Sequence, residues 1–284
     1  MKKEIKITDK LLKSYIEYLR EQEKSISTIQ SYQRELFSLK MYLDEGKVTK
    51  EKLIDYKAMI ATQYKPSSCN VAISAINSFL KYINRTDLCI KPLKIQRQIF
   101  ENRDKELTKK DYEKLIKAAN INGQETLSLI IQTICSTGIR VSELCYITVE
   151  SLKEGKCLVT NKGKSRIVFL PTSLCTMLKK YVVYSNITSG SIFTTRSGKP
   201  IDRSNIWAAM KRLCTIANVN PEKVYPHNLR HLFARSYYSQ YKDLSRLCDL
   251  LGHTSVNTTK IYTKESGAIH IKQIEGLGLV RDTT

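Results

Sequence analysis

KCLVTNKGKSRIVFL, residues 156–170, decides the fold class of this 284-residue chain, because here helical periodicity gives way to strand. Two short β-rich runs, 156–160 and 167–170, flank the polar turn Asn161, Lys162, Gly163 and Lys164, the pattern of a β-hairpin. Outward from it the pattern is helical on both sides. Upstream, Val141 to Tyr146 reads as a short helix. Before that, an apolar helix runs from Glu125 to Cys135 and ends near Gly138, and Thr108 caps a helix through Ala119. Downstream, mostly helical sequence continues to about residue 275.

The first 85 residues read as four helices, with no strand-like alternation. Leu11, Leu12, Tyr15, Ile16 and Leu19 recur at helical spacing until the polar run 21–24. Ser27 caps a second helix carrying Tyr32, Leu36, Leu39 and Tyr42, which stops at Gly46. A third runs from about Thr49 to Ala61. Pro66 opens a fourth whose apolar face holds Val71, Ile73, Ile76, Phe79, Leu80 and Ile83. From Thr86 the pattern breaks around Pro92 and a basic run (Lys91, Lys94, Arg97), which fits an inter-domain linker or an ordinary long loop equally well. The expected organisation is an N-terminal helical domain at 1–88, a linker at 89–106 and a second domain at 107–284. The fold class is mainly α with a small β-sheet in the second domain.

Composition narrows the class of function. The chain carries 47 basic and 27 acidic residues, a net charge of +20. Residues 1–100 hold 19 basic and 11 acidic groups, so the excess is spread over both halves instead of sitting in a tail. Two basic globular halves suit a grip on one polyanion, although charge alone also fits ribosomal or membrane-surface proteins. Eight cysteines are scattered without a Cys-x-x-Cys pair, which argues against a metal or disulfide framework and for reduced thiols. The longest apolar stretch, 127–135, is about half of a bilayer span. The charged N-terminus has no hydrophobic region behind it, so no signal peptide or membrane partner is expected and the chain reads as cytoplasmic.

Reactive residue types concentrate in three segments: 136–144 (STGIRVSEL), 227–231 (HNLRH) and 250–253 (LLGH), the last followed by Tyr262 nine residues after His253. Each has a bland reading on its own. Arg140 is one of 47 basic residues, although it lies oddly close to a core helix. His227 and Arg230 share a helix face, which describes a solvated first turn as well as an anion clamp. His253 follows a helix-ending Gly252, and Tyr262 is one of 16 tyrosines. Together, two arginines, two histidines, a turn lysine and a tyrosine form an acid–base and charge-clamp set for phosphoryl transfer. The acidic cluster that a two-metal nuclease requires is missing from it.

These residues carry a resemblance. The arrangement is similar to the tyrosine recombinase (phage integrase) family, and closest to its short Xer-type members. The family pattern Thr-Gly-x-Arg-x-x-Glu-Leu matches Thr137 to Leu144, and its His-x-Leu-Arg-His segment matches His227 to His231. Leu-Gly-His followed by Thr-Thr-x-x-Tyr-Thr matches Leu251 to His253 and Thr258 to Thr263. The family's hairpin lysine, commonly in Gly-Lys-Gly, falls at Lys162. An asparagine stands before it and the turn is one residue short, so Lys164 stays a rival. The tail 264–284 departs from the usual Xer ending. The resemblance covers essentially the whole chain and implies an N-terminal four-helix core-binding domain plus a mixed α/β catalytic domain.

The resemblance implies a chemistry as well. Tyr262 would attack the phosphate and leave a 3′-phosphotyrosine. His227 would take the phenol proton, and Lys162 would protonate the departing 5′-oxygen. Arg140, Arg230 and His253 would hold the non-bridging oxygens, with Glu143 and His231 orienting them. No ATP, metal or other cofactor is expected. The implied partners are double-stranded DNA with short inverted-repeat core sites and three further copies in a homotetramer on synapsed DNA. An accessory DNA-bending protein or a partner recombinase is a further partner that the resemblance admits. Two alternatives stand beside site-specific recombination: a type IB topoisomerase-like relaxing enzyme, and a DNA-binding protein that has lost catalysis. The separate N-terminal helical domain speaks against the first and the intact residue set against the second.

Overall fold

The computed structural model describes residues 5–44, 46–95, 106–161, 163–195, 197–253, 255–259 and 275–276. The chain divides into two compact units, Met1–Arg97 and Gln98–Thr284.

Unit one is built from α1 (Asp9–Glu21), α2 (Ile26–Leu43), α3 (Lys50–Gln63) and α4 (Pro66–Tyr82). Hydroxyls of Thr8 and Thr49 cap α1 and α3, and Pro66 opens α4 where its missing N–H costs nothing. The second cap is Ser25, not Ser27: its Oγ reaches the Thr28 amide at 3.3 Å, so α2 starts two residues earlier than the apolar pattern suggests. Tyr15, Leu19, Leu36, Leu39, Leu53, Ile73, Ile76, Phe79 and Leu80 interlock in one apolar core. Val71, expected on the apolar face of α4, is 44% exposed, because Cys69, Ala72, Ile73 and Ile76 define a stripe that turns away from it.

The segment expected to begin a linker is bolted into this unit over its first residues. Asn77 exchanges both amide hydrogen bonds with the backbone of Ile90 (2.8 and 2.9 Å), and Asn70 does the same with Leu93 (3.0 and 2.8 Å). Seven apart on α4, the two asparagines share a face and hold an extended strap as a neighbouring strand would. Lys57 adds a bond to the Lys91 carbonyl at 2.8 Å.

Unit two contains α5 (Lys109–Ile121), α6 (Glu125–Thr137), a 3₁₀ turn (Val141–Tyr146), α7 (Val149–Glu154), β1 (Lys156–Asn161) and β2 (Lys164–Phe169). It continues through α8 (Thr172–Tyr184), α9 (Arg203–Ala217), α10 (Pro226–Tyr241), α11 (Leu244–Leu251) and the single turn α12 (Val256–Thr259). Thr108 and Asp111 form a reciprocal capping box on α5. Ile130, Ile131, Ile134, Leu144, Val159, Leu178, Met210, Leu213 and Leu229 knit α6, the hairpin, α8, α9 and α10 into one core. A smaller cluster, Ala234, Leu247 and Leu251, seats α11 on α10.

The hairpin is real but tighter than its polar run implies. Asn161 pairs directly with Lys164, so the loop has two residues and β2 begins three positions before Ile167. Lys164 therefore lies in a strand and not in the turn. Gly163, at φ +74°, supplies the left-handed conformation a two-residue loop requires.

Candidate active site

The apolar helix α6 stops at Gly138, which is left-handed at φ +65°. A side chain there would fall 2.5 and 2.7 Å from the Phe233 ring of α10, so glycine is what lets the end of α6 press against that helix. Two residues on, Arg140 opens the 3₁₀ turn. Its guanidinium is about a third exposed and is steered by Glu143, to which Nη1 donates at 3.0 Å.

Arg230 is 1% exposed, the largest of the fully buried side chains among the described residues. It stands on α10 between Pro226 and Ala234 in one buried row. Its guanidinium donates to the Gly138 carbonyl and to the Leu251 carbonyl (2.6 Å), tying the ends of α6 and α11 together. The same Nη2 lies 3.1 Å from His253 Nε2. An arginine only donates, so Nε2 is the acceptor; Nδ1 carries the proton and donates to Thr259 Oγ1 at 2.9 Å. His253 follows Gly252, the left-handed cap of α11, and its backbone N–H closes back onto the Cys248 carbonyl at 3.1 Å.

His227, exposed in the first turn of α10, stacks edge-on against His231 with ring centres 4.4 Å apart. Desolvation of its packed side, then the charges of Arg230, Arg140 and Arg203, push its pKa below the usual imidazole value. Burial and surrounding cations hold His253 at about 4, and burial with the neighbouring His227 holds His231 at about 3. All three rings are therefore neutral near pH 7, and the positive charge belongs to arginines. Arg235 anchors the start of the unit to the same helix, donating to the Leu107 carbonyl at 2.8 Å and pairing with Glu106 at 3.5 Å.

Of the residues singled out from sequence, Arg140, Glu143, His227, Arg230, His231 and His253 come together around the ends of α6 and α11. Lys162 and Tyr262 lie outside the described residues. Lys164 is described: strand alternation puts it on the face of β2 that carries Arg166 and the buried Val168.

Arg166 was missed. It donates to both oxygens of Glu143, from Nη1 to Oε1 at 3.0 Å and from Nη2 to Oε2 at 2.6 Å. Its aliphatic stem lies so close to Gly252 that no side chain fits there. The available signal was a charged residue at a strand position of core parity. Burial of the Glu143 carboxyl opposes its ionisation. Hydrogen bonds from Arg166 and from the Arg140 amide nevertheless overcome that and hold it at about 2. Among the described residues no group of three or more His, Cys, Asp or Glu is placed to hold a metal, and no helix is long and apolar enough to cross a membrane. All eight cysteines are free thiols.

Three buried or half-buried arginines and three neutral histidines, set on a mostly helical unit with one hairpin, in a chain that also has a separate helical unit, fit the class of tyrosine recombinases. Comparison with known proteins agrees. The phage integrase family model matches residues 105–268, and the model for the phage integrase N-terminal SAM-like domain matches residues 12–86. The chain belongs to the phage integrase family. It is 28% identical over 278 residues to the tyrosine recombinase XerA of Pyrococcus furiosus, covering 94% of this chain and 93% of that one. A crystal structure of XerA recombinase superposes with a TM-score of 0.52 at 25% identity, over 97% of this chain and 100% of that one. A lambda integrase tetramer bound to a Holliday junction has the same fold, with a TM-score of 0.74 at 18% identity over 92% and 78% of the two chains. The protein is thus an enzyme of the tyrosine recombinase type, a DNA strand transferase for site-specific recombination. The comparisons do not favour the relaxing-enzyme or non-catalytic alternatives.

Proposed function

We propose that Tyr262 attacks a scissile DNA phosphate, forms a 3′-phosphotyrosine and releases a 5′-hydroxyl, and that the cluster around Arg230 stabilises the transition state. The observation that carries this reading is Arg230 itself. A guanidinium at 1% exposure, locked by two backbone carbonyls and facing His253, is rigid charge in a low-dielectric setting. Such charge needs no reorganisation as the phosphate oxygens gain negative charge. Arg140, about a third exposed, adds a second fork to the non-bridging oxygens.

A phenol with pKa ~10 needs a base as it attacks. His227 suits that role: it is exposed in the first turn of α10, and its lowered pKa keeps it neutral and able to accept a proton near pH 7. His253 accepts from Arg230 in the free protein. The developing negative charge of the transition state raises the imidazole's proton affinity, so that Nε2 takes up a proton from solvent and the resulting imidazolium donates to a non-bridging oxygen. Lys162 protonates the departing 5′-oxygen. Lys164 is a second reading for that proton, favoured by its place on the Arg166 face of β2. The phosphotyrosine conserves the energy of the broken bond, so rejoining to another 5′-hydroxyl needs no cofactor.

The substrate is double-stranded DNA with short inverted-repeat core sites, recombined by a homotetramer in the cytoplasm at the nucleoid. Residues 1–88 act as the core-binding domain and 107–284 as the catalytic domain. The charge of +20, carried by both halves, supports a DNA partner. Tyr262→Phe tests the reading. A nicked suicide duplex should trap a covalent protein–DNA adduct with the parent and none with the variant, while gel-shift affinity stays unchanged. An adduct that persists in Tyr262→Phe refutes it.

A further inference from the structure

Glu143 presents a charge problem at the centre of this site. Its carboxylate is 2% exposed, fully ionised, and accepts from both the backbone N–H (2.9 Å) and Nη1 (3.0 Å) of Arg140. That contact orients Arg140, but it also sets a negative charge against the arginine that has to meet a phosphate. A neutral ion pair attracts an anion far less than a free guanidinium does. Arg166 resolves the conflict by geometry. Two Arg166 donors cover the two carboxylate oxygens, and its side chain is 11% exposed. The trio Arg140–Glu143–Arg166 carries a net single positive charge, in a setting where solvent screens little.

Arg166 is also placed to keep that arrangement fixed. It stands opposite Val159 in the hairpin ladder, and its stem is wedged against Gly252, the residue before His253. A lysine would place the same charge there, without the planar fork.

We infer that Arg166 is a positioning residue for strand cleavage, which offsets the charge of Glu143 so that Arg140 meets the scissile phosphate as a cation. The inference rests on the proposed role of Arg140 as a phosphate clamp. It separates Arg166 from an ordinary structural ion pair, because the damage done by removing Arg166 is then caused by the carboxylate left behind.

The test is single-turnover cleavage of a nicked suicide duplex at saturating protein, with gel shift and thermal unfolding run on the same preparations of the full chain. Arg166→Gln should bind DNA normally and cleave more slowly by on the order of 10²-fold, the scale of losing one preorganised electrostatic contact. The double variant Glu143→Gln/Arg166→Gln should recover at least about tenfold over Arg166→Gln, since the amide that replaces the carboxylate still offers a carbonyl to Arg140 without its charge. A purely structural Arg166 predicts the opposite, a double variant as slow as or slower than the single, and that result overturns the inference. So does wild-type cleavage by Arg166→Gln. If Arg166→Gln fails to fold, Arg166→Lys decides: cleavage within about tenfold of the parent supports charge compensation, and a loss of about 10²-fold or more in a folded, DNA-binding protein overturns it. Arg140→Gln separates the two levels of the argument. Parental cleavage by that variant removes the assignment of Arg140 and the inference with it. Slow Arg140→Gln beside an unrescued Arg166→Gln removes the inference alone.

Discussion

Replacing Gly138 with alanine adds one methyl group to the place where α6, α10 and α11 meet. The added Cβ would lie 2.5 and 2.7 Å from two carbons of the Phe233 ring and 3.1 Å from a Leu251 methyl, and the backbone there is left-handed at φ +65°. A β-carbon in that conformation costs about 1–2 kcal/mol, and overpacking a close-packed contact costs about 1–3 kcal/mol more. The expected loss is therefore roughly 3 kcal/mol, or a fall in Tm of about 6–12 °C for a unit of this size. The same displacement moves the carbonyl that holds Arg230, so cleavage should fall further than stability alone explains. Calorimetry and suicide-substrate cleavage at a temperature where the variant is folded measure the two effects separately. Gly155→Ala is the control: it is left-handed at φ +69° with nothing within 4 Å, so only the backbone cost of about 1–2 kcal/mol applies. If Gly138→Ala melts with Gly155→Ala and cleaves like the parent, the packing argument for how Arg230 is positioned is wrong.

Three further outcomes are expected. His231 and His253 have native pKa values of about 3 and 4 against 6.5 in the unfolded chain, so their contribution to stability is complete above pH 6.5 and is lost as pH falls from 6.5 towards those native values. Urea midpoints measured from pH 7 down to pH 4 should decline accordingly, and a flat profile contradicts the buried, neutral state of these rings. A substrate with a 5′-bridging sulfur supplies a leaving group that needs no proton, so it should restore cleavage to Lys162→Ala but not to Arg140→Ala; restoration of Lys164→Ala instead would move the general-acid role into β2. DNA affinity should fall steeply with salt, by roughly 0.9 in logarithmic slope per neutralised phosphate, and a chain cut near residue 100 should give fragments that each bind far more weakly than the whole. Full affinity in either fragment refutes a grip shared by both units.

Helix positions in this chain were legible because apolar residues recur at helical spacing and hydroxyls stand at the caps. The misses have local physical causes. Ser25 and Ser27 are equally good capping residues, and only the reach of one oxygen to the Thr28 amide chooses between them. The polar run 161–164 hides where the ladder ends, since backbone pairing of Asn161 with Lys164 is indifferent to side-chain polarity. The strap at residues 89–95 reads as a linker because Pro92 and the basic residues break its apolar pattern, which hides that Ile90 is buried and that Cys89 and Leu93 pack against the core of unit one. Asn70 and Asn77 grip its backbone, and the only sequence trace of that is two asparagines seven apart on an apolar helix.

The site was legible as a set of residue types but not as a network, and Arg230 and Arg166 show why. Arg230 sits in the row Pro226, Arg230, Ala234, and Arg166 sits in the row Arg166, Val168. In both, the periodicity that assigns neighbours to the core assigns an arginine there too. A charge in such a position is tolerated only if the fold brings acceptors to it. For Arg166 the acceptor is a carboxylate 23 residues away along the chain. For Arg230 the acceptors include His253, which the sequence does mark, and the carbonyls of Gly138 and Leu251, 92 and 21 residues away, atoms that every residue carries and no motif can advertise. The sequence thus marks where a buried charge must be met, and the folded chain alone determines by what. In this protein the groups that meet it are the ends of α6 and α11, and Arg140 and His253 lie directly after those same ends.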